Sequence, residues 1–275
     1  MYTATDLSPV GKNTIPVYDF PIEMKELYTK DGLLSKRKAI VRTDTNKLIA
    51  DVSNTYQLVE HKYIFDIANE YMKKFGKPEI NFHQSREGAH IIGEYTFKDI
   101  GAEVQKNDII GLKLFFQNSY RGDASVKLSV AGLRLACTNG MTAHNNEINL
   151  SFRHTKTHIQ EGKFVNLDLP HPESVVSRFK LSAEEWGRLT KIEFTEDELR
   201  KLLTDASLEG IIAKSILDDT PELEENTAWG LYNQMTYWIS HREKESAQMA
   251  GKISRLNRID RWFGEKFPLP SKHHH

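Results

Sequence analysis

The chain has 275 residues, of which 39% are hydrophobic and 27% are charged, with a formal net charge of −1. This composition supports a packed core of one large domain or two ordinary ones and argues against wholesale disorder. The apolar runs are far shorter than the roughly 20 residues of a membrane span, and no signal peptide is recognisable, so the sequence predicts a soluble cytoplasmic protein with no membrane partner. Cys137 is the single cysteine, so neither a disulfide nor a multi-cysteine zinc site is predicted.

The amino-terminal third mixes an irregular stretch with strands and one helix. Residues 1–32 contain three prolines and little periodicity, which predicts an extended arm with one short helix around residues 22–28. Residues 39–42 and 48–52 flank a polar turn and predict two strands. Apolar residues at three-to-four spacing over residues 60–75, closed by Gly76, predict the first helix.

The middle of the chain has the pattern of an antiparallel sheet. Residues 90–97 and 109–118 are strand-like apolar runs, and residues 125–130 alternate with a period of two and continue into 132–137. The loop at 118–123 has the composition of a hairpin turn. Connections this short join antiparallel strands, because a parallel crossover needs a dozen or more residues. The pattern of residues 151–164 does not favour one type of secondary structure.

Helical patterns dominate the remainder of the chain. The predicted helices cover residues 172–181, 182–189, 195–203, 227–242 and 246–263. Thr195 with Glu198 three residues later is a capping-box pattern. The order of elements predicts an α+β fold, in which a strongly twisted antiparallel sheet in the middle has flanking helices and a helical carboxy-terminal region. The predicted division is an arm (1–32), a strand-rich core domain (33–170), a helical region packed on it (171–270) and a tag remnant (271–275).

Charge is segregated along the chain despite the near-zero total. Residues 104–165 carry eight Lys or Arg against four Asp or Glu, a local +4. Residues 184–225 carry thirteen acids against five bases, a local −8, and residues 242–266 carry seven bases against four acids, a local +3. Clustered charge of one sign creates a field that overall neutrality conceals, so the central segment predicts a phosphate-binding face. The alternative is that these charges simply face water.

Catalytic patterns are scarce in the sequence. Phosphate-loop, dinucleotide and nucleophile-elbow motifs are absent. His154 and His158 share a face only in a helix and have no carboxylate nearby, so neither a metal site nor another cofactor is predicted. Cys137 with His144 as its base would suit a thiol nucleophile, and the alternative is that Cys137 is a small buried core residue.

The central strands are better suited to binding nucleic acid. Residues 116–121 place aromatic, amide and guanidinium groups on one hairpin, and single-stranded nucleic acid is commonly held by a cationic groove with aromatic platforms. In the set of predicted contact residues given below, the lysines and arginines would contact phosphates and the asparagines would shape loops. The phenylalanine and tyrosine rings would stack on bases or brace the hairpin. The predicted contact residues are Lys113, Phe116, Asn118, Tyr120, Arg121, Lys127, Arg134, Asn139, Arg153 and Lys156.

Three strings in the sequence carry a resemblance to a known family. They are Phe-Gln-Asn-Ser-Tyr-Arg-Gly-Asp at 116–123, Gly-Leu-Arg-Leu-Ala-Cys-Thr-Asn-Gly-Met at 132–141 and Asn-Thr-Ala-Trp-Gly-Leu-Tyr-Asn at 226–233. In this order they resemble a phage/plasmid-like family of unknown function, over roughly residues 38–241. That family occurs in phages, prophages and conjugative plasmids, which pass through single-stranded DNA, so the resemblance implies a protein of the bacterial host cytoplasm. The strand-rich core is also similar in outline to single-strand annealing proteins.

Together these observations predict a single-stranded DNA-binding protein of a mobile element that acts as a homo-oligomer and promotes annealing without bond chemistry. The acidic segment at 184–225 would pair with a neighbouring subunit's basic face and build a ring or filament. Two alternatives stay open. One is a protein-binding module that inhibits a host defence factor, and the other is an enzyme, either a metal-dependent nuclease or a hydrolase that uses Cys137.

Overall fold

A computed structural model describes residues 17–122, 126–134, 139–142, 150–152, 154, 158–160, 163–164, 167–203, 226–239 and 249–268. Five α-helices lie in these residues: α1 (His61–Lys73), α2 (Pro172–Leu189), α3 (Glu196–Leu203), α4 (Ala228–Tyr237) and α5 (Met249–Lys266). The longer strands are β1 (Ile22–Tyr28), β2 (Leu34–Arg42), β3 (Lys47–Ser53), β4 (Glu79–Ser85), β5 (His90–Gln105), β6 (Asp108–Ser119) and β7 (Val126–Arg134). The shorter strands are β8 (Asn139–Thr142), β9 (Leu150–Phe152), β10 (Ile159–Gln160) and β11 (Lys163–Phe164). None of the described helices is long and apolar enough to cross a membrane.

The described strands pair antiparallel, and they form two main sheets. The larger sheet has the order β4-β5-β6-β7-β8, and β9 also pairs with β7. The smaller sheet has the order β1-β2-β3, while β10 and β11 form a short separate ladder. Within each path, β1 to β3 and β4 to β8, sequential strands are neighbours because their connections are too short for crossovers. The predicted α+β fold, with an antiparallel sheet in the middle and flanking helices, is confirmed.

The main core lies between the larger sheet and its helices. Side chains of β6 alternate in direction, so Leu112, Leu114 and Phe116 share one face. That face is fully buried, and the Phe116 ring lies 6.5 Å from Phe65 of α1. On the neighbouring strand, Gly132 meets the Trp186 ring of α2. Apolar burial of this kind is the dominant favourable contribution to folding.

A second, smaller core joins the two sheets. Ile40 of β2 and Val52 of β3 pack with Tyr120, which directly follows β6. The Tyr120 ring is shielded from solvent, since only 1% of the residue is exposed. The residue that follows β6 therefore anchors the smaller sheet to the larger one.

Two predicted helical features are wrong. Residues 22–28 form the edge strand β1 rather than a helix, pairing Ile22 with Arg42 and Tyr28 with Leu34. Three charged residues among seven disguise its alternation, and such charges are typical of edge strands. The predicted break at Ser182 is also absent, because α2 continues through it and the Ser182 hydroxyl donates to the Arg178 carbonyl at 3.2 Å.

Several other predicted helices and strands are confirmed, including the residues at which two helices begin. The Thr195 capping box forms, with its backbone N–H 2.8 Å from a Glu198 carboxylate oxygen and the Glu198 N–H 3.3 Å from the Thr195 hydroxyl. The Thr227 hydroxyl likewise accepts from the Gly230 N–H at 3.1 Å and begins α4. Helix α1 matches the predicted 60–75, and β6 matches the predicted 109–118.

Substituting Gly132 with alanine is expected to lower the free energy of unfolding by about 1–3 kcal/mol, because a tightly packed site resists an added methyl group. A Cβ there would lie 2.6 Å from Ile110 Cγ2 and 3.0 Å from the Trp186 ring. Urea unfolding measures the change. Gly251 is the matched control: it is exposed on α5, a Cβ added there meets no atom of the described chain within 4 Å, and Gly251→Ala should raise stability by up to about 1 kcal/mol. Equal stability of the two variants would contradict the packing argument.

Candidate nucleic-acid interface

The start of β7 brings together parts of the chain that bear several predicted contact residues. Lys127 pairs with Gln117 of β6 on one side and with Ser151 of β9 on the other. Its side chain is exposed, and Arg121 lies half-buried at the turn after β6. Arg153 and Lys156 lie outside the described residues, and Arg153 directly follows the last residue of β9 in sequence. We call this end of the larger sheet the β6–β7 turn end.

Arg134 and Asn139 lie at the opposite end of β7. Their backbones pair with each other where β8 joins the sheet. Arg134 lies seven positions after Lys127 along β7, which corresponds to about 23 Å at the usual rise of about 3.3 Å per residue. The predicted contact residues therefore fall into two groups at the two ends of one strand.

Lys113 lies between these groups and is engaged by an acid. It pairs with Ala131 of β7, and its Nζ forms an ion pair of 2.5 Å with Glu94. Glu94 also accepts a hydrogen bond from His83 Nε2 at 2.8 Å. Burial alone would raise the pKa of Glu94, but the His83 hydrogen bond and the Lys113 charge lower it to about 2. Because Lys113 is only 8% exposed and its charge is compensated, a phosphate would have to displace Glu94 to reach it.

Phe116 and Tyr120 are buried. Neither ring has more than 1% of its residue surface exposed, so neither presents a face to a base in this conformation. The Tyr120 hydroxyl accepts a hydrogen bond of 2.7 Å from the His61 backbone N–H. These contacts match the alternative in which the two rings brace the hairpin and fill the core.

Asn118 is the centre of a buried polar network. Its amide nitrogen lies 3.0 Å from His61 Nδ1, and its amide oxygen lies 2.8 Å from His154 Nε2. His61 Nδ1 must therefore accept, which places the ring proton on Nε2, 2.8 Å from the Gly88 carbonyl oxygen. His154 Nε2 donates to the Asn118 amide oxygen, and its Nδ1 faces both the Tyr56 hydroxyl at 3.2 Å and the Gln57 carbonyl oxygen at 3.3 Å.

Both histidines of this network are held neutral. Burial lowers the pKa of His61 to about 3, and burial lowers the pKa of His154 to about 4. A neutral hydrogen-bonded network inside the protein specifies structure, because partners left unpaired there would be costly. Asn118 thus connects the start of α1, the end of β6 and the segment at His154, and the string at 116–123 has a structural role.

The string at 226–233 also connects separate elements. The Trp229 indole N–H of α4 donates to Asp108 at the start of β6, at 2.9 Å. The Tyr232 hydroxyl donates to Asp260 of α5 at 2.5 Å, and its ring packs edge-on against Phe263 at 5.0 Å. Sequence reasoning missed His61, Trp229 and Asp260 as polar partners, because each lies in an apolar helical pattern that shows no sign of its distant partner.

The described residues contain no group of three or more His, Cys, Asp or Glu side chains arranged to hold a metal ion. Cys137 and His144, the thiol and base considered from the sequence, lie outside the described residues. Among the predicted contact side chains whose burial is described, Lys127 at the β6–β7 turn end is the exposed cation, and Arg121 beside it is half-buried.

Comparison with known proteins identifies a family but no characterised relative. The model of a family described as Domain of unknown function (DUF932) matches residues 49–260, more than half of the chain. This range includes all three strings discussed above. No curated protein and no solved structure matches the chain significantly. The chain therefore belongs to the DUF932 family, a domain of unknown function.

Proposed function

We propose that this protein is a phage- or plasmid-encoded, single-stranded DNA-binding protein of the bacterial cytoplasm. It acts as a homo-oligomer and promotes the annealing of complementary strands. The observation that supports the proposal is the convergence of the basic segment at the β6–β7 turn end, where β9 returns to pair beside Lys127. The exposed charge of Lys127 at this end would attract the phosphate backbone.

The mode of binding follows from which side chains are accessible. Lys127 is exposed and Arg121 is half-buried, whereas the rings of Phe116 and Tyr120 are buried. Contacts at this end therefore go to phosphates and carry no direct sequence information. A protein that holds the backbone leaves the base edges free to pair, which is the requirement for annealing without bond chemistry.

The exposed acids at the start of α3 support the proposed oligomer. Glu196, Asp197 and Glu198 are all exposed within the first turn of this helix. They belong to the acidic segment of the sequence, whose charge is opposite to that of the β6–β7 turn end. Pairing of these two surfaces between neighbouring copies would be head-to-tail, which generates rings or filaments.

Charge reversal at Lys127 tests the proposed function. We expect Lys127→Glu to weaken single-stranded DNA binding at least about fivefold at 0.1 M salt and to reduce the salt slope by about 0.7, the contribution of one phosphate contact. Fluorescence anisotropy with labelled single-stranded and duplex DNA across a salt series measures both quantities. Lys180→Glu is the matched control, since Lys180 is also exposed but lies on α2.

Two results would count against the proposal. If the unaltered protein binds no DNA at low salt, the protein-binding alternative becomes the better explanation, and partners from the host should then be sought. If Lys180→Glu and Lys127→Glu weaken binding equally, attraction to overall charge rather than a surface at the β6–β7 turn end explains the affinity.

A further inference from the structure

The β1–β2 hairpin ends in a group of exposed apolar side chains. Tyr28 at the end of β1 is 61% exposed, and Leu33 and Leu34 at the start of β2 are also more than half exposed. Tyr28 and Leu34 form a cross-strand pair, and Leu33 precedes that pair in the turn. We call residues 28–34 the hairpin tip. Single exposed apolar residues are ordinary on a protein surface, but several neighbouring ones point to a binding role.

The hairpin extends from the junction of the two sheets. Farther along β2, Ile40 is fully buried and packs with Tyr120, the residue that follows β6. Leu34 lies six positions before Ile40, which corresponds to about 20 Å at the usual rise of about 3.3 Å per residue. The hairpin tip therefore lies beyond the smaller core, while the other end of β2 is anchored close to the β6–β7 turn end.

The turn of the hairpin tip is held by its own hydrogen bonds. The Thr29 N–H donates to the Leu33 carbonyl oxygen at 2.8 Å, and the Gly32 N–H donates to the Thr29 carbonyl oxygen at 3.0 Å. Gly32 has a φ of 77°, which a glycine adopts at little cost. The Tyr28 hydroxyl donates to Glu26 at 3.1 Å, so the ring is held along β1 although it is exposed. A ring presented in this way loses little conformational freedom when a ligand packs on it.

The charge around the hairpin tip favours an anionic partner. Residues 28–38 carry four Lys or Arg against one acid. Lys30 and Lys36 are exposed, and neither forms an ion pair with another residue of the described chain. The acids that offset part of this charge, each given with its neighbour, are Asp31 beside Lys30, Asp51 paired with Arg37 and Glu26 opposite Lys38. Four cations against these three acids leave a positive charge, which suits a nucleic acid.

The size of the apolar group fits a base better than a protein. A stable protein–protein interface takes about 20–30 residues on each side, far more than the apolar side chains of the hairpin tip. A base needs only one ring to stack on, and single strands are commonly held by aromatic rings together with cations. Tyr28 is the most exposed Phe, Tyr or Trp residue in the described part of the chain. It offers the accessible ring that Phe116 and Tyr120 do not.

We infer that Tyr28 at the hairpin tip stacks on the bases of single-stranded DNA. The inference rests on the proposed function and adds base contacts to the phosphate contacts of the β6–β7 turn end. Stacking uses the face of a base and leaves its hydrogen-bonding edge free, so it tolerates any sequence and is compatible with annealing.

The test compares two labelled strands by fluorescence anisotropy: oligodeoxythymidine, and an abasic strand of the same length that has the same phosphates but no bases. The unaltered protein should bind oligodeoxythymidine at least about fivefold more tightly, the lower end of what stacking of one base contributes. Tyr28→Ala should lose this preference. Its salt slope should not change, because no phosphate contact is removed.

Two further variants make the test specific to the ring. Tyr28→Phe keeps the ring and removes only the hydroxyl, so it should retain the preference for oligodeoxythymidine. Leu48→Ala is the matched control, since Leu48 is equally exposed at 61% and also lies in the smaller sheet, on β3. It should bind both strands as the unaltered protein does.

The outcomes separate this inference from the proposed function. If Tyr28→Ala keeps the preference while Lys127→Glu weakens binding, the inference is refuted and the proposed function stands. If Tyr28→Ala weakens binding to both strands by the same factor, the hairpin tip acts through folding or assembly and not by stacking, which also refutes the inference. A change in sedimentation of that variant would then identify a second copy as the partner. If the unaltered protein binds neither strand at low salt, the proposed function and the inference both fail.

Discussion

Replacing Asn118 with alanine is expected to lower the free energy of unfolding by about 3–5 kcal/mol, because several buried polar groups lose their partners at once. The His61 ring would lose the donor 3.0 Å from its Nδ1, and the His154 Nε2–H would lose the acceptor at 2.8 Å. Each unsatisfied buried group costs roughly 1–3 kcal/mol, and the alanine methyl group can neither donate nor accept a hydrogen bond. Urea unfolding followed by circular dichroism measures the change.

Asn81→Ala is the matched control for this substitution. Asn81 also lies in a strand of the larger sheet, but it is exposed. Removing its amide should alter stability by no more than about 0.5 kcal/mol, as is usual for surface substitutions. A loss below about 1 kcal/mol at Asn118 would show that the network contributes little to the fold.

The second large expected effect is a loss of folding stability at mildly acidic pH. His61 and His154 have folded-state pKa values of about 3 and about 4, below the ordinary 6.5. At mildly acidic pH both histidines are therefore protonated in the unfolded chain but neutral in the folded chain. Their contribution to stability is complete above pH 6.5 and is lost as the pH falls from 6.5 towards 4. Between about pH 7.5 and about pH 5 the loss is about 2 kcal/mol for each histidine, or about 4 kcal/mol together.

Urea unfolding at several pH values tests this effect. His154→Gln keeps a donor near the position of Nε2 but does not titrate, so it should reduce the dependence of stability on pH by about one proton between about pH 6 and about pH 5. His171→Gln changes an exposed histidine before α2 in the same way and controls for the substitution itself. Stability that is the same at about pH 7.5 and about pH 5 would contradict neutral buried histidines.

The fold was largely predictable because its main signals are local. Alternation along β6 and three-to-four spacing along α1 each reflect burial of one face, and both elements form as predicted. The sequence pattern does not reveal strand β1, because an edge strand needs no alternation of apolar and polar residues. The sequence predicts two helices in place of α2, because a serine that caps a helix looks the same in sequence as a serine whose hydroxyl donates to a carbonyl one turn earlier in the same helix.

The site was less predictable because its geometry depends on distant partners. Alternation separates Phe115 from Phe116 but does not say which of the two faces the helices cover. The compensation of Lys113 by Glu94 arises between strands, and the return of β9 to Lys127 joins residues more than twenty positions apart. Such pairings are decided by tertiary packing, which leaves no periodic trace in a three-residue strand.

Several side chains of the three strings discussed above are buried. Asn118, Tyr120 and Trp229 hold separate segments of the chain together, and Gly132 allows close packing against Trp186. A relative that shares these strings would therefore share a scaffold, while the exposed Lys127 can change without disturbing it. Transfer of a function between members of the family should accordingly be judged on exposed residues rather than on the strings.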